Sequence, residues 1–376
     1  MPIAYAFALA ALLQIGPGGD RKPERDRGAQ MPVLAHYCNW MQRNAQFNTW
    51  GDANTIPLRP DDHMGYDYRD PAVVSQQNAE MVRNGIVPLV SWWGPGNKFG
   101  DEFLDWYLTL PGPQLGILYE ATGSTGGRLP EDREGWYDFN DPGVAEIFVR
   151  DMEYLNARYW SRPEYRNRWF RIDGRPVLFI WISHAFRGPF DEVMARVRER
   201  IPVYVIGSNF NMESWLYTGP ASVIRGLDAV SAYGIYHPHL TRETGGSING
   251  LYVGRYVDRY RDWMDWLKKE APGVEFIPPF LFAYKDNRGN PVLTSTRSEA
   301  EHLAASVRHL MWESLCDGEP VLEMSLGVSY NEHYEGTSVE PTLQYGRDWL
   351  DILNGYFRPA IPTDNCPKTD GTEQPE

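Results

Sequence analysis

The chain has 376 residues, enough for one large α/β domain, and its 42% apolar content can build a sizeable core, which excludes wholesale disorder. With 36 basic against 50 acidic groups the net charge is -14, and no local run of basic residues offsets it, so nucleic acid is not an expected partner. Fourteen Trp and 22 Tyr supply flat apolar faces with polar edges, as useful for stacking on sugar rings as for filling a core.

Pro2 to Ile15 form an apolar run too short to span a bilayer, so stable membrane insertion is not expected. The run reads either as the core of a secretory signal or as an over-extended start, with Met31 the initiator. The first reading implies a secreted or periplasmic protein, the second a cytoplasmic one. Residues 1–30 are then leader and linker, 31–358 one domain, and 359–376, rich in Pro, Thr, Asp and Glu, a disordered tail. Cys38, Cys316 and Cys366 are odd in number and lack metal-ligand spacing, so neither a disulfide framework nor a zinc site is expected.

Short β-branched or apolar runs predict strands at Val33–Tyr37, Val87–Ser91, Leu115–Tyr119, Val177–Ile182, Val203–Gly207, Ala229–Tyr233, Phe276–Phe282 and Val321–Ser329. Helical segments lie between them. Gly143–Tyr159 puts Phe148, Met152, Leu155 and Tyr159 on one face. Leu251–Lys269 carries Val253, Tyr256, Val257, Tyr260, Trp263, Met264 and Leu267 at steps of three and four. Ser298–Leu315 repeats the pattern, and Thr342–Phe357 closes the series. Eight strand–helix units with no second domain left over predict an α/β fold, a single (β/α)8 TIM barrel. The open doubly wound alternative lacks a Gly-rich phosphate turn after the first strand.

A barrel gathers its functional residues just after the strands. His36 to Trp40 follow strand 1, Trp92 and Trp93 strand 2, and Glu120 strand 3. Ser208, Asn209 and Asn211 follow strand 5, Tyr233, Tyr236, His237 and His239 strand 6, and Tyr284 to Asp286 strand 7. Strand 8 delivers Tyr330 to Glu335. Aromatics, amides, histidines and carboxylates together suit gripping hydroxyls while stacking on pyranose faces. Glu332 and Glu335 form the paired carboxylates that glycoside cleavage needs, one as acid and one acting on the reacting ring. Of Trp92 and Trp93, one is expected to pack and the other to stack on sugar. Glu120 reads as a substrate hydrogen-bond partner or a structural partner for Arg, and His333 as a partner for a carboxylate or a titrating group. His237 and His239 lack a third ligand, so no metal or other cofactor is expected. Asp173-Gly174 reads as a hairpin turn into strand 4.

In order, Tyr66-Asp67-Tyr68-Arg69-Asp70-Pro71, Val90-Ser91-Trp92-Trp93-Gly94-Pro95-Gly96, Asp173-Gly174-Arg175-Pro176-Val177 and the run from Asn331-Glu332-His333-Tyr334-Glu335-Gly336 to Pro341 resemble glycoside hydrolase family 99. That family comprises endo-α-1,2-mannosidases and mannanases, with related proteins of bacterial polysaccharide loci. The resemblance covers most of the stretch from Val33 to Phe357. It implies a metal-free barrel cleaving α-mannosidic bonds with retention, through a 1,2-anhydro sugar and without an attacking enzyme carboxylate. By motif position, Glu332 becomes the base for the sugar 2-hydroxyl and Glu335 the general acid/base. Trp93 matches the aromatic lining the -2 subsite, and Tyr37, Glu120, Asn209, Tyr233 and Tyr236 fall on strands that hold sugar hydroxyls. His333 and Tyr334 fill the places where the family run has Trp and His, beside the reacting ring. Those changed neighbours keep open another α-linked polymer, an α-glucan or a bacterial surface polysaccharide. A barrel that binds glycan without cutting is the remaining alternative.

Overall fold

The computed structural model describes residues 30–40, 53–58, 66–122, 128–210, 220–285 and 289–367. The two readings of Pro2–Ile15, and Asn211 and Asp286, lie outside the described residues. The barrel strands are β1 (Val33–Tyr37), β2 (Ile86–Trp92), β3 (Gly116–Tyr119), β4 (Arg175–Ile180), β5 (Tyr204–Phe210), β6 (Ala229–Ala232), β7 (Glu275–Phe276, resuming at Pro279–Phe280) and β8 (Ser325–Gly327). All pair in parallel with their sequence neighbours, and β1 also pairs with β8. The first half of β7 pairs with β6 and the second with β8, so the sheet closes into a barrel through this one segment. Pro278 and Pro279 break β7 in two, because neither offers an N–H to a ladder.

Alternation along each strand sorts side chains between two layers. Leu34, Leu89, Leu118, Phe179, Ile206, Ala229 and Leu326 belong to one buried cluster inside the barrel. Val33, Ala35, Val90, Ile117, Leu178, Val205 and Val230 belong to the other, under the helices. The helical stripes read from sequence fill that outer layer: Phe148, Met152, Leu155, Tyr256, Tyr260, Trp263, Leu303 and Val307 are all buried.

Local signals start and stop the helices. Pro71–Asn84 begins on Asp70, whose carboxylate accepts from the N–H groups of Ala72 and Val73, and ends at Gly85 with φ 62°. Arg297–Cys316 opens with a reciprocal Thr296–Glu299 capping box. The Asp173-Gly174 hairpin turn forms as expected, with φ 51° and 74°, joining Arg171–Ile172 to β4. The expected helix over 342–357 is shorter: Asp348–Ile352 is α-helical and Leu353–Phe357 a wider turn, while Thr342 and Gly346 bond each other in a turn before it.

Two expectations need correction. Cys316 and Cys366 form a disulfide with Cα atoms 5.3 Å apart, although 50 residues separate them in sequence. The tail, expected to be disordered from 359, is docked as far as it is described. The Arg308 guanidinium donates to the carbonyls of Tyr356, Pro359 and Ala360, and Trp312 Nε1 to that of Pro362. Backbone capture by Arg and Trp, one covalent bond and the burial of Ile361 hold a tail that is poor in apolar residues. Among the described residues no helix is long and apolar enough to cross a membrane.

Candidate active site

At the C-terminal end of the barrel the inward positions continue the interior pattern. From Leu34 the next inward residue is His36, from Leu89 it is Ser91, from Leu118 it is Glu120, and from Ala229 they are Ser231 and Tyr233. His36 is buried and stacks on Tyr233 with centroids 4.9 Å apart and an 18° interplanar angle. Phe179 lies 4.8 Å from His36, and Trp181 meets Tyr233 edge-on at 3.6 Å. Burial pushes the His36 imidazole down to about 3, so it is neutral, and neither ring nitrogen has a protein partner.

The loop after β8 brings in the paired carboxylates. Glu332 is buried; Oε1 accepts from the Tyr334 N–H at 2.9 Å and Oε2 from the Cys38 thiol at 3.3 Å. Burial raises its pKa, while the Cys38 thiol and the N–H groups of Tyr334 and Glu335 pull it back. Glu335 is half-buried, and its carbonyl accepts from the Lys285 N–H, which ties the loop after β7 to that after β8. Tyr334 is half-buried beside them.

Glu120 joins this pair as a third carboxyl. It is buried, bonded to Ser91, and pushed up to about 8 by burial and by the Glu332 charge. Burial also raises the Tyr233 hydroxyl, reinforced by Glu335, Cys38, Glu332 and Glu120, so all five groups share one electrostatic field. The Glu120 shift has a consequence for stability. Between the usual 4.5 and about 8 the folded chain keeps a proton that the unfolded chain releases, so stability falls as pH rises through that window. Glu120→Gln removes the titrating group and should flatten the fall in urea midpoints between about pH 5 and pH 8. An unchanged slope would mean that Glu120 titrates as if in water.

The other expected site residues divide. Asn209 is buried beside this end of the barrel, its Oδ1 accepting from Ser183 at 2.7 Å and its Nδ2 without a protein partner. A Cβ at Gly207 would collide with the Asn209 side chain, so glycine is required under it. Trp93 is half-buried, edge-on to Trp40 at 5.9 Å, with its indole N–H unpartnered. Tyr236 lies in the loop after β6, stacked on Tyr284 at 4.0 Å with its hydroxyl donated to the Pro291 carbonyl. His237 caps the helix Pro238–Glu243, accepting from the Leu240 N–H.

Three expected sugar contacts face elsewhere. Tyr37 points into the outer layer by alternation, donates to Gln77 at 2.7 Å and packs on Tyr107 and Tyr330. Trp92 also faces outward, fully buried, and donates to Asp101 at 3.0 Å. It is the packing member of the pair. His333 turns away from the mouth, with Nε2 3.0 Å from Glu340 Oε2 and Nδ1 3.0 Å from Thr55 Oγ1, the carboxylate-partner alternative. Glu340 also accepts from Tyr66 and Gln77, and Asn331 clasps the Cys38 backbone through both its amide atoms. This buried network braces the loop that carries Glu332 and Glu335. Sequence reasoning missed it, and missed Trp181 as a residue of the mouth; His36 and Cys38 it placed after strand 1 without a role. Counting alternate positions from Leu34 marks His36 as the inward member of that run.

No protein-family model matches the chain, and no curated protein matches it. Solved structures share its fold. A GH99 endo-alpha-mannosidase from Bacteroides thetaiotaomicron, in complex with bis-tris-propane, is 16% identical with a TM-score of 0.57, covering 86% of this chain and 95% of that one. A second structure of such an enzyme from that organism is 15% identical with a TM-score of 0.54, covering 86% of this chain and 96% of that one. A glycoside hydrolase-like protein is 16% identical with a TM-score of 0.63, covering 90% of this chain and 97% of the other. The chain is thus a (β/α)8 barrel of the shape seen in GH99 enzymes.

Proposed function

We propose that this protein is a retaining, endo-acting glycoside hydrolase of α-mannoside-type glycans. The observation that carries the reading is the meeting of Glu332, Glu335 and Glu120 in one electrostatic field beside Tyr233 at the barrel's C-terminal end. Burial raises Glu332 above the usual carboxylate range, which makes it a stronger base, and donors from Cys38, Tyr334 and Glu335 offset part of that rise. It takes the proton of the 2-hydroxyl as that oxygen closes on C1, and Glu335 protonates the departing glycosidic oxygen. Water then attacks C1, giving a proton to Glu335, and Glu332 returns its proton to O2. Two inversions give net retention. Glu120 holds a proton below about pH 8 and is suited to donate to a sugar hydroxyl.

His36, Asn209 and Trp93 add buried polar atoms with no protein partner, the pattern expected where a ligand's hydroxyls complete the hydrogen bonding. Glu332, the carboxylate that is charged when it acts as base, disfavours an anionic group beside the reacting ring, which favours an uncharged sugar there. The Cys316–Cys366 bridge favours an oxidising compartment, in keeping with the exported reading of the leader. The test is hydrolysis of a panel of uncharged α-linked oligosaccharides, with product anomers followed by NMR. Cleavage of α-mannosides to products of the original anomeric form is expected. Inverted products would end the two-step scheme, and cleavage confined to α-glucans would move the substrate to the alternative polymer. Trp93→Ala should weaken substrate binding roughly tenfold or more and slow kcat less, because stacking acts alike on ground and transition states. Unchanged affinity would take Trp93 out of the site.

A further inference from the structure

Glu332 is held by one unusual donor. Cys38 is 4% exposed and, with Cys316 and Cys366 bridged, is the chain's one remaining thiol. Its backbone is clasped from both sides: the Cys38 N–H donates to Asn331 Oδ1 at 2.7 Å, and Asn331 Nδ2 donates to the Cys38 carbonyl at 3.0 Å. Asn331 Nδ2 also reaches the Tyr66 hydroxyl at 3.2 Å, and Tyr66 donates to the buried Glu340 at 3.0 Å. The residue preceding Glu332 therefore fixes the end of β1, which leaves Cys38 Sγ 3.3 Å from Glu332 Oε2.

We propose that Cys38 is a positioning residue for Glu332, its thiol donating to Oε2 and holding that oxygen as the proton acceptor while the Tyr334 N–H holds Oε1. This rests on the reading of Glu332 as the base for the 2-hydroxyl. The thiol acts as a donor and not as a nucleophile: burial, then Glu332, Glu120 and Glu335 all raise it, so it stays protonated. A thiol is a weak donor, which suits the role. It orients the carboxylate and favours its charge, yet leaves Oε2 basic enough to take a proton. The charged and titratable groups acting on the pair are Glu120 beyond β3, Tyr233 beyond β6 and Glu335 beyond β8, with His333 behind the same loop, turned toward Glu340.

Two measurements on the full chain test this. In the first, Cys38→Ala should move the acid limb of the kcat/KM profile up by about half to one pH unit, as Glu332 loses a donor to its charged form. Cys38→Ser, which restores a donor of similar size, should bring the limb back to the wild-type position or below it. A limb unmoved in Cys38→Ala, or a limb that Ser does not return, overturns the proposal; lost stability alone would lower the rate without moving the limb. The second measurement needs no turnover. The 13Cβ resonance of labelled Cys38 is titrated in wild type and in Glu332→Gln, and its midpoint should fall when the carboxylate charge is removed. An equal midpoint overturns the pairing. If wild type cleaves no α-linked glycan, the reading of Glu332 as base falls, and the titration still decides whether thiol and carboxylate are paired.

Discussion

Glu335→Gln should lower kcat on an unactivated α-linked oligosaccharide by roughly 10²–10⁴-fold while leaving substrate affinity within a few-fold, the loss expected for removing a general acid. The amide keeps the shape and hydrogen-bonding reach of the side chain, so substrate still binds, but no proton is available for the departing oxygen. Glu332→Gln should be comparably damaging for a different reason, because the 2-hydroxyl keeps its proton and cannot close on C1. The fold should tolerate this second change: Oε1 can still accept from the Tyr334 N–H, and an amide at a buried position avoids the cost of burying a charge. Steady-state kinetics on both variants, with thermal melts to verify folding, checks the pair. Near-native rates from both would refute the two-glutamate assignment. An activated substrate with a good leaving group should rescue Glu335→Gln in the first step and leave Glu332→Gln impaired, which separates acid from base.

The second large effect is on stability. The Cys316–Cys366 bond joins the end of the long helix Arg297–Cys316 to the docked tail across a sequence separation of 50. By the chain-entropy relation, a loop of that size withholds about 4 kcal/mol of freedom from the unfolded state. Cys316→Ser with Cys366→Ser should therefore shift the denaturant midpoint markedly downward and lower Tm by several degrees. Reduction of the wild type should do the same. Activity per folded molecule should hold, because the bond lies at the C-terminal end of a barrel helix, opposite the mouth where Glu332 and Glu335 stand. A midpoint unchanged in the double variant would mean that the bridge adds no constraint beyond what Arg308 and Trp312 already impose on the tail.

What could be read in advance follows from what is local. Strand β1 was legible to the residue because Val33–Tyr37 is a short, largely apolar run that opens after Pro32 and closes just before Asn39. The face of the helix Gly250–Glu270 was legible because Tyr256, Tyr260, Trp263 and Leu267 recur at helical spacing. The hairpin at Asp173-Gly174 was legible from its turn chemistry. The expected β8 strand is too long at both ends: the ladder with β1 spans Ser325–Gly327, Val321 makes only an isolated bridge to Phe276, and the Ser329 N–H donates to the Thr337 carbonyl as the chain turns into the loop that carries Glu332.

The site was legible as a region and misread in detail. Tyr37 and Trp92 stand at the right strand ends but at outward positions, and their type alone suggested sugar contacts. Chain order carries the period of two, so composition by residue type was the weaker guide there. His333 is different. Its neighbours in sequence are the two candidate carboxylates, yet its partner is Glu340, and only the loop's path through space turns it inward.

The amino-acid sequence by itself determined the strand–helix alternation, the closed barrel it implies, and the placing of Glu332 and Glu335 in the loop just after the last strand. Each follows from short-range periodicity and from residue types adjacent in the chain. Tertiary structure alone decided that Cys316 meets Cys366, that Glu120 shares a field with Glu332, and that Cys38 donates to the carboxylate. Those facts join residues from 50 to 294 positions apart. Burial and distance, which set both hydrogen bonds and proton affinities, exist only once the barrel has closed and brought such strand ends together.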